Sequence, residues 1–304
     1  MPVLIVGSVA LDNVKTPVEE RTDLLGGSAS YGAVAASFFE APQLVGVVGN
    51  DFPRTHVDYL KSRKIDLTGL QTVDGETFRW SGEYMADLNQ RQTLSVALNV
   101  FEHFNPTLPD AYRKTPYVLL GNIAPSLQLR VLEQIEKPRF VVADTMDLWI
   151  TVARHDLEAL FKRLDLIVLN DSEAKLITDN PNLIKAAHMI RKMGPKYVCI
   201  KKGEHGALLF GDPGAGEFFS CPGYPISNVV DPTGAGDCFA GGLTGHLARG
   251  DQPVVKFAEL RQAVVYGSVL ASYAVESFSF ERLRKLRPAE IEARYAEFQR
   301  ISQF

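Results

Sequence analysis

Apolar positions in this chain come in short runs separated by polar, glycine-rich or amphipathic stretches. Residues 3–9 form the first run, rich in Val and Ile and soon followed by Asp12 and Asn13, which predicts a buried strand ended by Asp12. Gly26-Gly27-Ser28 then opens a small-residue helix to about residue 39, with Ser28 as its N-cap. Residues 43–49 predict a second strand and residues 52–63 a helix. The rhythm resumes at residues 117–120, 140–143, 166–169 and 197–200, and the first three of these runs lead into helical stretches. Such alternation predicts a parallel sheet covered by helices on both faces.

Two segments break the rhythm. Residues 13–25 are polar and short, and residues 76–98 hold two β-rich stretches around an Ala86-Asp87-Leu88-Asn89 turn. Together, over approximately 13–25 and 74–100, they predict a small accessory sheet that either closes as a lid or remains a peripheral hairpin. Further on, residues 229–237 lead into a small-residue helix to about Arg249, and residues 253–275 predict another apolar helix. With no repeat or low-complexity linker, residues 1–304 are expected to form one α/β domain carrying that lid.

Composition narrows the function classes. Hydrophobic residues make up 46% and charged residues 22% of the 304, a mix that builds a buried core. The net charge of −4 supplies no basic field for a nucleic-acid backbone, so no nucleic-acid partner is expected. No run of about 18 apolar residues predicts a membrane span, and the N-terminal segment lacks the basic start of a signal peptide. Three cysteines without paired spacing fit a reducing cytoplasm, and six scattered histidines predict no dedicated transition-metal site.

The strongest chemical signal is DPTGAGDCFAGG, Asp231 to Gly242. A glycine-rich turn that opens a helix leaves several backbone N–H groups without carbonyl partners, and the helix dipole adds positive potential there. Gly234 and Gly236 let that backbone approach a phosphate closely. An acid in the same turn is a poor phosphate ligand. Asp237 makes better sense as a base that removes a proton from an attacking hydroxyl. GAGD alone is equally compatible with a helix start whose acid only favours the dipole.

The full string resembles the C-terminal signature of the ribokinase-like (PfkB) carbohydrate and nucleoside kinases almost position for position. That resemblance implies a three-layer αβα sandwich with a mostly parallel central sheet and a small β-sheet lid. It implies an anion hole made by Gly234, Ala235 and Gly236, beside Thr233, for the γ-phosphate of ATP, with Asp237 as general base. Asn170-Asp171-Ser172-Glu173 matches the family's N-x-x-E motif, so Asn170 and Glu173 are expected to organise Mg²⁺ and phosphate through water. The same two residues also spell a helix capping box. Lys201-Lys202-Gly203-Glu204-His205-Gly206 resembles the T-x-G-x-x-G nucleotide-side turn, with Lys201 where threonine is common. Lys201 is then either a phosphate contact or a solvated hairpin lysine, while Gly203 and Gly206 shape the loop. Asp12 stands where the family binds substrate hydroxyls, Gly26 and Gly27 match its substrate-contacting glycine pair, and Gly46, Gly49, Asn50 and Asp51 continue the match.

Departures from the pattern are specific. Tyr31 replaces the usual Asn, removing a polar substrate contact and offering a ring. The stretch Asp144-Thr145-Met146-Asp147-Leu148 lacks the Asn and Arg of keto-deoxy sugar acid kinases, which weighs against an acidic sugar. Many members bind K⁺ through the loop of Asp231 and a later glycine-containing loop, but residues 275–279 hold no glycine, which weighs against that cation here. Tyr31, Phe78, Trp80 and Tyr84 lie in segments expected to face the acceptor, some as stacking surfaces and others as packing. The expected partner is a small sugar or nucleoside, and a homodimer through the aromatic lid is a further expectation. The rival class is a non-catalytic ligand-binding or regulatory protein on a kinase fold. Neither a P-loop nor a dinucleotide fingerprint is present.

Overall fold

Central strands with apolar residues on both faces need cover on both sides, and the chain supplies it. The computed structural model describes residues 1–88, 90–250 and 252–303. The chain runs through β1 (Val3–Val6), β2 (Ala10–Lys15), β3 (Glu20–Gly26), α1 (Ser28–Ala36), β4 (Pro42–Gly49) and α2 (Arg54–Ser62). Next come β5 (Asp66–Val73), β6 (Phe78–Tyr84), β7 (Arg91–Ala97), β8 (Tyr117–Leu120), α3 (Pro125–Gln134) and β9 (Phe140–Asp144). Then follow α4 (Asp147–Val152), α5 (Arg154–Phe161), β10 (Leu166–Asn170), α6 (Asp171–Thr178), α7 (Leu183–Met193) and β11 (Tyr197–Lys201). Strands β12 (Ala207–Phe210) and β13 (Phe218–Cys221) precede α8 (Ala235–Arg249), α9 (Phe257–Ala274), α10 (Glu281–Lys285) and α11 (Pro288–Ile301).

Nine strands form the main sheet in the order β13-β12-β11-β10-β9-β8-β1-β4-β5. The seven from β11 to β5 are parallel, and β12 and β13 continue antiparallel. Alternation along each strand splits the core in two. Val3, Ile5, Leu119, Val142 and Val168 face α1, α8 and α9, while Leu4, Val6, Leu120, Val141 and Ile167 face α3, α5 and α7. The architecture is the expected three-layer α/β sandwich. Strand order reverses beside β1, where the chain first winds out to β5 and then back from β8 to β11. A cleft at the carboxyl ends of the strands is the usual consequence of such a reversal.

Four further strands make a second sheet, β3-β2-β6-β7, with β2 parallel to β6 and both outer pairs antiparallel. The turn read at Ala86-Asp87-Leu88-Asn89 ends on Asn89, which lies outside the described residues; the Met85 amide donates to the Gln90 carbonyl at 3.0 Å across that hairpin. Among the described residues, no helix is long and apolar enough to cross a membrane.

Several local expectations need correction. The first strand stops at Val6, because Gly7 and Ser8 already turn toward α1, so Asp12 belongs to β2 instead of ending β1. Ser28 is the first residue of α1 and Gly27, at φ 91°, is the N-cap. The Ser28 hydroxyl instead accepts the Ser8 amide at 3.2 Å, tying the helix start to the end of β1. The helix expected over 253–275 begins only at Phe257. Strands β5, β12 and β13 were not legible, since β5 and β13 are edges whose partly exposed residues carry no continuous apolar run.

Candidate active site

The late glycine turn opens α8 and leaves backbone amides at its start. Asp231, fully buried, accepts the Thr233 amide at 2.9 Å and the Ser279 amide at 3.4 Å, which bends the chain toward α8. Gly234 is the N-cap of α8 at φ 74°, and any side chain there would run into the Tyr31 ring, so only glycine serves. The Ala235 amide donates to the Pro232 carbonyl at 3.2 Å. The Gly236 and Asp237 amides that follow have no backbone acceptor among the described residues.

Asp237 sits half-buried in that first turn. Burial, reinforced by the Asp144 carboxylate, pushes its pKa up to about 7, against the pull of Lys201 and Arg91. A carboxylate so poised shifts between base and acid near neutral pH.

Three strand ends bring the remaining charges together. Asn170 ends β10 opposite Lys201 at the end of β11, and Asp144 ends β9 opposite Val168 of β10. Lys201 Nζ lies 3.5 Å from Asp144 Oδ2 and 2.9 Å from where a Cβ on Gly236 would stand. The Lys201 side chain is only 18% exposed, so it is not a solvated hairpin lysine. Asn170 and Glu173 do form the capping box of α6: Asn170 Oδ1 accepts the Glu173 amide at 2.8 Å, and Glu173 Oε2 accepts the Asn170 amide at 2.7 Å. Burial and the nearby Asp144 lift Glu173 to about 7, with Lys201 opposing.

A cavity of about 910 Å³ opens beside these groups. Asn170, Lys201, Gly203, Gly206 and Gly236 line it, α9 contributes Ser268 and Ser272, and residues 86–88 at the tip of the small sheet line it as well. Gly203 (φ 57°) and Gly206 (φ 84°) both turn left-handed, as the loop between β11 and β12 requires. Thr233 is not part of this lining; its hydroxyl donates to the Tyr84 hydroxyl at 3.1 Å and so ties the small sheet to the glycine turn.

A second acid completes the arrangement. Asp12 lies over the Gly26 backbone, where a side chain would collide with its carboxyl group, and it accepts from the Gly27 backbone. Burial, with Asp231 and Asp237 nearby, raises its pKa from 3.8 to about 8. The folded state therefore holds this proton more tightly than the unfolded chain, so stability drains away as pH rises from about 4 through 8. Replacing Asp12 with Asn removes that drain. Melting curves should show the variant gaining over wild type by several degrees more at about pH 8 than at about pH 5. An equal gain at both values would remove Asp12 as the source.

The four aromatic residues singled out earlier are engaged in packing and bracing. Tyr31 is 2% exposed, stacks on Phe280 at 4.4 Å and fills the space beneath Gly234, so its ring supports the glycine turn from behind. Phe78 stacks on Phe101 at 5.3 Å, and Trp80 lies along Gly82 with Arg91 5.4 Å from its ring. Asp144 and Arg91 were missed as site residues. Asp144 carried one faint signal, an acid closing an otherwise apolar strand run; Arg91 carried none.

Comparisons with known proteins bear on the family and the fold. The profile of the pfkB family carbohydrate kinases matches residues 7–282. A cytidine kinase of Thermococcus kodakarensis is 30% identical over 261 residues, 82% of this chain and 90% of that protein. A nucleoside kinase of Methanothermobacter thermautotrophicus is 26% identical over 270 residues, 87% of this chain and 82% of that one. A Burkholderia thailandensis nucleoside kinase solved with inosine superposes with a TM-score of 0.77 at 19% identity, over 97% of this chain and 96% of its own. An E. coli relative solved with ATP and Mg²⁺ gives 0.79 at 17% identity, over 97% and 99%.

Proposed function

This chain belongs to the pfkB family of carbohydrate kinases, and from that membership we propose that it transfers the γ-phosphate of ATP to a hydroxyl of a nucleoside, with Asp237 as general base. The observation that carries the catalytic part is the pairing of Asp237 with the amides at the start of α8. An acid whose pKa is near 7 beside an anion receptor suits deprotonation of an alcohol next to a phosphate. The nucleoside part draws on the two relatives that span most of this chain, a cytidine kinase and a nucleoside kinase.

In this reading ATP lies in the cavity with its phosphates toward Gly234–Gly236, where backbone N–H groups and the helix dipole favour negative charge. Asp12 and the Gly26–Gly27 backbone hold the acceptor. Asp237 takes the hydroxyl proton, the acceptor oxygen bonds to the γ-phosphorus, and the bond from that phosphorus to the ADP oxygen breaks. No group of three or more His, Cys, Asp or Glu among the described residues is placed to hold a metal alone. Asn170 and Glu173, at the start of α6, would order the waters of a Mg²⁺ held chiefly by the nucleotide. When bound, Mg²⁺ neutralises charge on the β- and γ-phosphates.

The test is a product assay with ATP and Mg²⁺ across nucleosides and sugars, read by mass spectrometry. We expect a nucleoside monophosphate and ADP. Phosphorylated sugar without any nucleotide product would overturn the nucleoside assignment. Unconsumed ATP with every acceptor would favour a binding protein and sink the transfer reaction.

A further inference from the structure

We propose that Tyr84 is a positioning residue for phosphoryl transfer: its hydroxyl, carried by the small sheet, clamps Thr233 and so fixes the glycine turn that opens α8. The inference rests on the phosphotransferase reading and gives the small sheet a part in the transfer step.

A glycine turn does not hold its own shape. Gly234 stands at φ 74°, and glycine takes up left- and right-handed backbone about equally readily, so the turn is only as fixed as its ties. Asp231 supplies two of them by accepting the Thr233 and Ser279 amides. Another comes from outside the main sheet and its helices. The Thr233 hydroxyl, one residue before Gly234, donates to the Tyr84 hydroxyl at 3.1 Å across 149 positions of chain.

The surroundings of Tyr84 hold that hydroxyl in place. Its ring is 6% exposed and clusters with Val14 of β2, with Phe278 and with Val230. Val230 immediately precedes Asp231, and Phe278 immediately precedes Ser279, so the ring grips both loops that Asp231 joins. Arg91, paired with Tyr84 across β6 and β7, reaches the same hydroxyl, and its charge also bears on Asp237. The clamp thus stands close to the carboxylate assigned as base. Residues 86–88 of the same hairpin line the cavity, so one hairpin touches both the cavity and the turn. A buried hydroxyl costs stability unless it is paired, and a phenylalanine would fill the apolar part of this site equally well. The polar end of Tyr84 is therefore explained by what it holds.

Kinetics separate a clamp from a mere cover. Tyr84→Phe, Thr233→Val, Thr233→Ser and the combination of Tyr84→Phe with Thr233→Val are assayed with ATP, Mg²⁺ and an acceptor that wild type phosphorylates, and their melting curves are recorded. We expect Tyr84→Phe and Thr233→Val each to lose about threefold to tenfold in kcat, the weight of one hydrogen bond, with acceptor KM within about twofold of wild type. The combined variant should lose no more than either single change, because both remove the same bond. Thr233→Ser keeps a hydroxyl and should stay within about twofold of wild type. A lower melting temperature with unchanged kcat would make the contact structural only and overturn the positioning role. Losses that multiply in the combined variant, or a raised acceptor KM at unchanged kcat, would overturn it as well. Wild-type protein that transfers no phosphate to any acceptor would instead sink the kinase reading beneath it.

Discussion

Asp237→Asn should lower turnover by about a hundredfold or more, the contribution of a positioned base, while ATP still binds. The amide keeps the shape of the carboxyl group and its place in the first turn of α8, so the anion receptor survives. Stability should not suffer. Burial raises the Asp237 pKa from 3.8 to about 7, so stability is lost as pH rises from about 4 to about 7, and an uncharged isostere avoids that loss. The wild-type pH profile supplies an independent check. The base must be ionised to act, so kcat/KM should fall about tenfold per pH unit below the pKa near 7 and level off above it. In Asp237→Asn that acid limb should vanish from the residual activity. Near-normal turnover of the variant would remove Asp237 from the reaction.

Gly236→Ala should produce opposite signs in stability and activity. Gly236 has an ordinary helical backbone, since it is absent from the glycines with positive φ. Alanine in a helix is favoured over glycine by about 0.5–1 kcal/mol, so the variant should melt at the same temperature or higher. Its methyl would stand 2.9 Å from Lys201 Nζ, the end of a flexible side chain that can move aside. The methyl would nonetheless occupy the wall where, in the proposed reaction, the phosphate reaches the α8 amides. Losing access to one such donor costs about 10²–10³ in kcat. Gly234→Ala differs in kind, because its φ of 74° and the Tyr31 ring behind it make a side chain disruptive to folding as well. A Gly236→Ala enzyme with wild-type kcat and KM for ATP would contradict the placement of the phosphate.

The readable parts of this protein share one property: their physics is local. The glycine turn of Asp231 to Asp237 dictates a left-handed N-cap and outward amides from a few consecutive residues. The capping box at Asn170 and Glu173 is similarly local, and the sequence pattern alone left its structural and metal-ordering roles both open. The packing of Tyr31 is not legible in the sequence, for the opposite reason. Its neighbours in space, Phe280 and Gly234, are more than 200 positions away, and no spacing rule announces that its ring will be walled in.

By itself, then, the amino-acid order determined the alternation of buried strands and helices, the two-sided sheet and the glycine turn that opens α8, because periodicity and glycine conformations act over neighbouring residues. Only the tertiary structure decided that Asp144, Glu173, Lys201 and Asp237 would share one corner. That grouping depends on β9, β10 and β11 lying side by side with matched ends, and on α8 arriving above them. Charge state follows the same division, since a carboxyl group responds to the water it loses and the charges within a few ångströms, neither of which is written in its place along the chain.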